Sequence, residues 1–258
     1  MPDRARFERD GDVGLITIDD PPLNLFGEEL TAAVLHCIDE AEAAGPRALL
    51  VRAEGDVFTG GADVNVFRGR TPDQGNEFAQ QLIAITHRIE GLPFPTLCAV
   101  HGLCLTAGFE LALACDMIWA AESAQFGLIE IVVGLTPLMG GTQRVAERAG
   151  PARARELVMS GGLYPAATLE RWNVINRVVP DAELAEKSLR FARRLAAGPT
   201  LANVATKRMV RAFLEHGVRG ADERVGEIAA PLFGTEDLKN AVETFLREGP
   251  GKATFEGR

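Results

Sequence analysis

The sequence predicts an α/β fold, because short apolar runs of strand length alternate with longer runs whose apolar residues recur at helical spacing. The last quarter of the chain carries only helical periodicity, which adds a helical region to that fold. The predicted strands are 13–19, 48–54, 95–102 and 116–121, and the predicted helices between them are 28–44, 76–90 and about 107–115.

Several of these elements end at residues that stop a strand or a helix. The first strand ends at DDPP, 19–22. The helix 28–44 is followed by Gly45-Pro46, and the helix 76–90 is followed by GLP at 91–93. Two short strand-like segments flank the turn AAESAQFG at 120–127. These extra segments fit a plain doubly wound sheet imperfectly.

The second half of the chain is mostly helical by pattern. Residues 151–161 and 166–180 predict two helices and a strand, and from 182 to 247 the pattern is helical, with breaks at Gly198-Pro199 and Pro231. The sequence therefore predicts two regions, a core over residues 1–197 and a helical C-terminal region over 198–258.

Composition narrows the class of protein. The 258 residues are 47% hydrophobic and 24% charged, which suits a globular protein with a sizeable core. A net charge of −9 argues against binding to nucleic acid. The charged N-terminus lacks the apolar segment of a signal peptide, and charged or proline residues interrupt the most apolar stretch, 92–121. We therefore expect a soluble, cytoplasmic protein that does not interact with membranes.

The cysteines and histidines give no metal signature. No C-x-x-C pair and no helical H-x-x-x-H pair occurs, so we expect reduced, buried cysteines and no metal site. Other catalytic templates also fail, since the sequence contains no G-x-G-x-x-G after a strand, no phosphate-binding G-x-x-x-x-G-K-[ST] and no G-x-S-x-G.

A lone carboxylate in an apolar segment is the strongest chemical signal. Glu110 lies in LCLTAGFELALACD, 103–116, and carboxylates are rarely buried without a partner or a task. The preceding small residues and the glycine-rich loop FTGGADV, 58–64, offer backbone N–H groups that a ligand can approach closely. At Ala107 the predicted helix start adds partial positive charge, and two such donors suit a developing oxyanion.

A second carboxylate, Glu130, also stands among apolar residues, in QFGLIEIVVGL. Two such glutamates near an oxyanion-binding pair of amides predict acid–base chemistry on a carbonyl compound. Each feature also has a structural interpretation: a glycine-rich turn, a helix start packed closely on its neighbour, or, for Glu130, a surface glutamate on a strand edge.

These segments together resemble the enoyl-CoA hydratase/isomerase (crotonase) family. The similarity rests on FTGGADV, on the ordered block 99–144 and on FGTEDLKNAVETFLREGPGKATF, and it spans about residues 7–255. The resemblance implies a crotonase-like spiral of ββα turns with a C-terminal helical region that assembles a homotrimer or a dimer of trimers. It also implies an acyl-CoA thioester as substrate, with coenzyme A as part of that substrate and no separate cofactor.

The resemblance assigns roles to individual residues. Ala62 and Ala107 match the oxyanion-hole N–H donors, and Glu110 and Glu130 match the two catalytic glutamates. Two residues of the C-terminal tail match a region that helps to hold coenzyme A, commonly from a neighbouring subunit; they are Lys252 and Phe255. The other substrate-binding matches are Gly61, Asp63, Thr106 and Gly141.

Several residues depart from the family's usual pattern, three of them beside the two glutamates. Thr106 and Ala107 stand in a run that is usually glycine-rich, and the Ala107 methyl group should narrow the space beside the thioester. Ile129 precedes Glu130 where proline is common, which changes how the carboxylate is aimed.

Retention of both glutamates favours a hydratase, which adds water across the 2,3 double bond of a 2-enoyl-CoA. The alternatives are an enoyl-CoA isomerase, another reaction through an acyl-CoA enolate, and a non-catalytic acyl-CoA-binding protein. The acyl chain's length and branching leave no signal in the sequence.

Overall fold

The computed structural model describes residues 4–258 and contains a six-stranded sheet and a three-stranded sheet within that range. The large sheet has the order β1-β2-β3-β4-β6-β9; only β1 runs antiparallel to its neighbour. The small sheet has the order β5-β7-β8. The strands are β1 Ala5–Asp10, β2 Val13–Ile18, β3 Ala48–Ala53, β4 Thr96–Val100, β5 Leu103–Leu105, β6 Met117–Ala121, β7 Gln125–Gly127, β8 Tyr164–Pro165 and β9 Arg177–Val179.

Nine helices connect and cover these strands in the described range. They are α1 Glu28–Ala44, α2 Pro72–Gly91, α3 Thr106–Ala114, α4 Gly141–Ala149, α5 Pro151–Ser160, α6 Ala166–Arg171, α7 Leu184–Ala196, α8 Thr200–Ala229 and α9 Glu236–Glu248. A turn such as β4-β5-α3 gives one strand to each sheet and then a helix. This alternation confirms the predicted α/β class and the spiral of ββα turns.

The structure corrects several predicted boundaries. The predicted strand 95–102 is two strands, because the backbone turns at Gly102, where φ is 56° and an added Cβ would lie 2.2 Å from the Asp56 carbonyl oxygen. The helix predicted at 76–90 begins at Pro72, where Thr71 and Gln74 form a capping box. The sequence analysis missed β1 and α4.

The core fills the space between the large sheet and the helices that cover it. Helix α7 packs on β3, β4 and β6, where Phe191 stacks on Trp119 with ring centroids 4.7 Å apart. Helix α3 is buried along its whole length, so it lies within the core rather than on it. The four cysteines are buried and form no disulfide, as predicted.

The C-terminal helices carry a small apolar cluster of their own, formed by Ala205, Ala212, Ala221 and Ile228. Lys207 ties α8 to the core: its Nζ donates to the carbonyl oxygens of Leu92 and Phe94 at 3.1 and 3.0 Å. Helix α8 bends at Gly217, a break that the sequence analysis missed. The boundary at 197/198 stays a prediction. Across residues 4–258, no helix combines the length and apolar character needed to cross a membrane.

Close packing at Gly108 gives a test of the position of α3. A Cβ added at Gly108 would lie 2.0 Å from Cγ2 of Thr59 and 2.9 Å from its Cβ. We expect Gly108→Ala to lower the free energy of unfolding by roughly 1–3 kcal/mol through overpacking, measured by urea denaturation. Gly75→Ala is the matched control, because nothing lies within 4 Å of its Cβ position on α2. Equal stabilities for the two variants would contradict this packing.

Candidate active site

Helix α3 fixes the position of Glu110. The helix starts directly after β5, and Glu110 lies one turn into it with only 2% of its surface exposed. Because every residue of α3 is buried, the helix has no freedom to turn this carboxylate toward solvent. The sequence prediction that Glu110 is a buried carboxylate is therefore confirmed.

The glycine-rich loop lies against the start of α3. Thr59 connects the two, because its N–H donates to the Leu103 carbonyl at 2.9 Å and its carbonyl accepts from Leu105 N–H at 3.2 Å. The Thr59 hydroxyl also accepts from Gly61 N–H at 2.9 Å. These bonds bring Ala62 beside the first residues of the helix, as the predicted pairing of the two segments requires.

Ala62 and Thr106 form a direct hydrogen bond across this junction. Ala62 N–H donates to Oγ1 of Thr106 at 2.7 Å. Ala107, by contrast, lies in the first helical turn, where a backbone N–H has no acceptor within the helix. The sequence analysis missed the hydrogen bond from the Ala62 amide to the Thr106 hydroxyl, since it treated Thr106 only as a departure from a run that is usually glycine-rich.

The Glu110 carboxylate is held by a turn before α4. Its Oε1 accepts from the backbone N–H groups of Met139 and Gly141, both at 2.8 Å. Gly141 is required here, because an added Cβ would lie 2.8 Å from Cγ of Glu110. Buried Arg144 supports the turn by donating to the carbonyl oxygens of Met139 and Gly140 at 3.3 and 3.2 Å.

Arg144 also donates through Nε to Oε1 of Glu90 at 2.7 Å, which links this turn to α2. The sequence analysis missed Met139 and Arg144. Arg144 stands in a polar helical stretch, so its burial depends on tertiary packing that its neighbours in sequence do not reveal.

Glu130 is the second buried carboxylate. It begins a short 3-10 turn at Glu130–Val133, is 7% exposed, and its Oε2 has no hydrogen-bond partner within residues 4–258. The alternative of a surface glutamate on a strand edge is therefore wrong. An unpartnered buried carboxyl oxygen is costly, and such groups are retained where they have chemistry to perform.

Both carboxyl groups have raised pKa values. Burial, and to a smaller extent the nearby charge of Glu130, raises the pKa of Glu110 to about 8, against the lowering effect of the Gly141 and Met139 amides. Burial also raises the pKa of Glu130 to about 7, opposed by its own backbone amide. Between these values the pair holds one proton, so it offers one acid and one base near neutral pH.

These groups line a cavity of about 390 Å³ with Ala62, Thr106 and Ala107. The cavity wall is mainly apolar, and residues from α2 and its flanking loops form much of it. The apolar side chains include Phe67, Phe78, Leu82, Leu135 and Leu138. An apolar chain with a polar reacting group at one end fits this distribution.

Other predicted site residues lie outside the cavity wall. Gly61 lies behind Thr106, and the Asp63 carboxylate accepts from Asn65 N–H at 2.9 Å. In the tail, Lys252 is exposed, and the Phe255 carbonyl accepts from Arg47 at 2.8 Å. The structure therefore does not bring Lys252 and Phe255 to the cavity of their own chain.

The fold and the site define a class: an α/β spiral whose apolar cavity places two carboxyl groups of raised pKa beside backbone amides at a helix start. The family model for enoyl-CoA hydratase/isomerase matches residues 8–258. The chain belongs to this family, and it is therefore an enzyme of the crotonase type with an acyl-CoA substrate.

Individual relatives agree with this assignment. A protein of Rhizobium meliloti (strain 1021) named probable enoyl-CoA hydratase is 33% identical over 256 residues, covering 97% of each chain. A 1,2-epoxyphenylacetyl-CoA isomerase of Escherichia coli K12 is 35% identical over 191 residues, covering 72% of this chain and 73% of its own. A solved structure of an enoyl-CoA hydratase subunit from Geobacillus kaustophilus HTA426 superposes with a TM-score of 0.92 at 31% identity, covering 99% of this chain and 98% of that one.

The raised pKa of Glu110 predicts how stability depends on pH. The folded state holds a proton on this group up to about pH 8, whereas an unfolded glutamate loses it near 4.5. The folded state therefore binds more protons across this window, and its stability falls as pH rises, by at most about 1.4 kcal/mol per pH unit for this group.

We expect Glu110→Gln to flatten that fall, measured as the free energy of unfolding in urea between pH 5 and 8. The control is Glu186→Gln, an exposed change on α7 that should leave the wild-type slope intact. A wild-type slope that survives in Glu110→Gln would show that Glu110 titrates normally.

Proposed function

We propose that the protein is an enoyl-CoA hydratase that adds water across the 2,3 double bond of a 2-enoyl-CoA. The observation that carries the proposal is the pair Glu110 and Glu130, two carboxyl groups of raised pKa in one apolar cavity. Hydration needs a base for the water and an acid for the carbon, and a pair that holds one proton near neutral pH supplies both.

The acyl chain occupies the apolar cavity, and the thioester carbonyl lies at the start of α3. There the Ala107 amide and the hydrogen-bonded pair of Ala62 and Thr106 polarise the carbonyl oxygen. The first turn of α3 adds the partial positive charge of a helix N-terminus. As electron density moves from the double bond toward this oxygen, each donor stabilises the enolate-like state by about 3 kcal/mol.

Glu110 acts as the base. It takes a proton from water while the water oxygen forms a bond to the β-carbon, and Glu130 gives its proton to the α-carbon. The higher pKa makes Glu110 the stronger base of the two, and the lower pKa makes Glu130 the stronger acid. This arrangement places the proton on the carboxyl group with the lower pKa, so reaching it from the resting protonation state costs free energy.

After the reaction Glu110 holds a proton and Glu130 is ionised, and proton exchange between the two through solvent restores the starting state. Coenzyme A is part of the substrate, and the proposed reaction uses no other cofactor. The rival within the family is an isomerase, which shifts a double bond by moving one proton on one carboxylate. Because the chain is similar to a protein named as an isomerase, the experiments must distinguish hydration from isomerisation.

Substitution of each glutamate tests the proposal. We expect Glu110→Gln and Glu130→Gln each to lower hydration of 2-butenoyl-CoA by at least about 10²-fold, because glutamine keeps the shape but exchanges no proton. Since the two groups act together, the double variant should be little slower than the slower single variant. Hydration removes the ultraviolet absorbance of the conjugated thioester, which gives a continuous assay.

Glu186→Gln serves again as the control and should keep wild-type activity. Loss of activity in only one of the two variants, with a 3-enoyl-CoA turned over faster than the 2-enoyl-CoA, would replace the hydratase by an isomerase. Acyl-CoA binding by wild type without turnover of any substrate would replace it by a binding protein.

We also propose that the C-terminal helices assemble the chain into a homotrimer or a dimer of trimers. Many large apolar side chains of α8 and α9 are exposed in the single chain, a larger set than monomers usually present. Lys252 and Phe255 would then reach coenzyme A bound to a neighbouring subunit. The exposed apolar residues include Val210, Phe213, Leu214, Val218, Val225, Val242, Phe245 and Leu246.

Sedimentation equilibrium tests the assembly. At micromolar concentration we expect a mass of three or six times 27.7 kDa, because the exposed apolar faces gain stability when they are buried between subunits. Phe245→Asp should shift the distribution toward monomer, whereas Arg247→Asp, a polar change on the same helix, should shift it less. A wild-type monomer at that concentration would contradict the proposal.

A further inference from the structure

The Thr106 side chain has a hydrogen-bonding capacity that the fold does not use. Its Oγ1 accepts from Ala62 N–H at 2.7 Å, and no acceptor within residues 4–258 takes its own hydroxyl hydrogen. The residue is 8% exposed and belongs to the cavity wall with Ala107 and the two glutamates. A hydroxyl group has one donor and two acceptor sites, so a ligand in the cavity can accept from Thr106 without breaking its bond to Ala62.

The backbone at Thr106 is strained in a way that keeps the hydroxyl in this place. Its φ is 42°, a left-handed value that a β-branched residue rarely adopts. The first turn of a buried helix follows directly, which holds the residue in that conformation. Strain of this kind persists where the surrounding structure enforces it, and it clusters at functional sites.

Gly61 makes room for this arrangement. A Cβ at Gly61 would lie 2.4 Å from Oγ1 of Thr106 and 3.3 Å from its Cγ2, so only glycine allows the threonine so close to the loop. The neighbouring amides of the loop have other partners: Gly61 N–H donates to the Thr59 hydroxyl, and Asp63 N–H donates to the Phe26 carbonyl at 3.1 Å. The Ala62 amide therefore acts on a ligand in the cavity indirectly, through its hydrogen bond to the Thr106 hydroxyl oxygen.

From this geometry we propose that the Thr106 hydroxyl is the hydrogen-bond donor to the thioester oxygen, with Ala62 N–H bonded behind it. The proposal rests on the proposed acyl-CoA chemistry and changes which atom of this chain contacts the substrate. The oxygen is bound by two consecutive residues at the start of α3, the Thr106 side chain and the Ala107 amide. Ala62 is then a positioning residue that acts through Thr106.

Hydrogen bonding in series explains how a neutral hydroxyl can serve here. The Ala62 N–H withdraws electron density from Oγ1, and a hydroxyl that accepts a hydrogen bond becomes a stronger donor. The alternative is that the threonine is a gate that rotates away so that the oxygen reaches Ala62 directly. Rotation would cost the 2.7 Å bond and move a side chain packed against Gly61, so the bonded arrangement is favoured.

The direct test is the carbonyl stretching frequency of a bound thioester. Butanoyl-CoA labelled with ¹³C at the carbonyl is a saturated ligand that does not react, and isotope-edited infrared difference spectra isolate its C=O band. We expect binding to wild type to lower the frequency, Thr106→Ser to keep the lowered value, and Thr106→Ala to move it back toward that of the free ligand. An equal frequency in wild type and Thr106→Ala would overturn the proposal.

Kinetic measurements distinguish the two possible roles of Thr106, a hydrogen-bond donor to the thioester oxygen or a gate that rotates away from it. With 2-butenoyl-CoA we expect Thr106→Ser to keep kcat/KM within about threefold of wild type and Thr106→Ala to lower it by at least about tenfold, since a donor contributes only where it meets the developing charge. Thr106→Gly should melt at a higher temperature than wild type, because glycine adopts a positive φ freely, and yet be slower. Activity of the alanine or glycine variant at or above wild type would establish the gate and overturn the proposal.

Failure of this proposal and failure of the hydratase assignment give different results. If wild type hydrates no substrate but its bound butanoyl-CoA carbonyl band responds to Thr106→Ala and not to Thr106→Ser, the donor role stands and only the reaction changes. If wild type hydrates 2-butenoyl-CoA while all three variants match it, the reaction stands and the donor role fails. If neither labelled butanoyl-CoA nor labelled acyl-CoAs of longer or branched chains bind, both proposals fail.

Discussion

The desolvation of Glu110 is the constraint on which the rest of the site depends. A carboxyl group at 2% exposure in an apolar helix would destabilise the fold if it were ionised without support. The protein meets this cost in two ways: the pKa of the group rises to about 8, and two backbone amides bind the same oxygen. Those amides belong to the turn that Arg144 supports, so a buried arginine far along the chain also serves this carboxylate.

The same constraint relates the two glutamates and the helix start. Glu130 adds to the raised pKa of Glu110, so the protonation of Glu110 depends on the charge of Glu130. Helix α3 carries Thr106 and Ala107 at its N-terminus and Glu110 one turn later. This fixes the spacing between the groups that we propose bind the carbonyl and the carboxylate that we propose moves the proton. In the proposed reaction, one buried helix therefore carries both the groups that bind the carbonyl and a group that transfers a proton.

The sequence predicted the parts of this site that depend on local chemistry. A glutamate in the apolar segment 103–116 and small residues before it were enough to predict a buried carboxylate beside exposed amides. The helix 28–44 was also predicted correctly, because its apolar residues recur at helical spacing and Gly45 ends it. The resemblance to the family supplied what periodicity left open, namely the spiral of ββα turns and the roles expected of the two glutamates.

Other features depended on contacts between distant segments. The hydrogen bond from Ala62 to Thr106 joins residues 44 positions apart, and neither segment alone indicates that the two residues meet. The burial of Arg144 and the split between β4 and β5 at Gly102 also follow from the packing of distant segments. Local propensity carries no information on such contacts.

The central claim is that Glu110 and Glu130 together hold one proton near neutral pH, and infrared spectroscopy measures this directly. The C=O stretch of a protonated carboxyl group, isolated as the difference between wild type and the Glu110→Gln/Glu130→Gln variant, is followed from pH 4 to pH 10. The account predicts a band that persists at pH 6 and disappears in the range set by pKa values of about 7 and about 8. A band that disappears near pH 4.5, the ordinary pKa of glutamate, would contradict it.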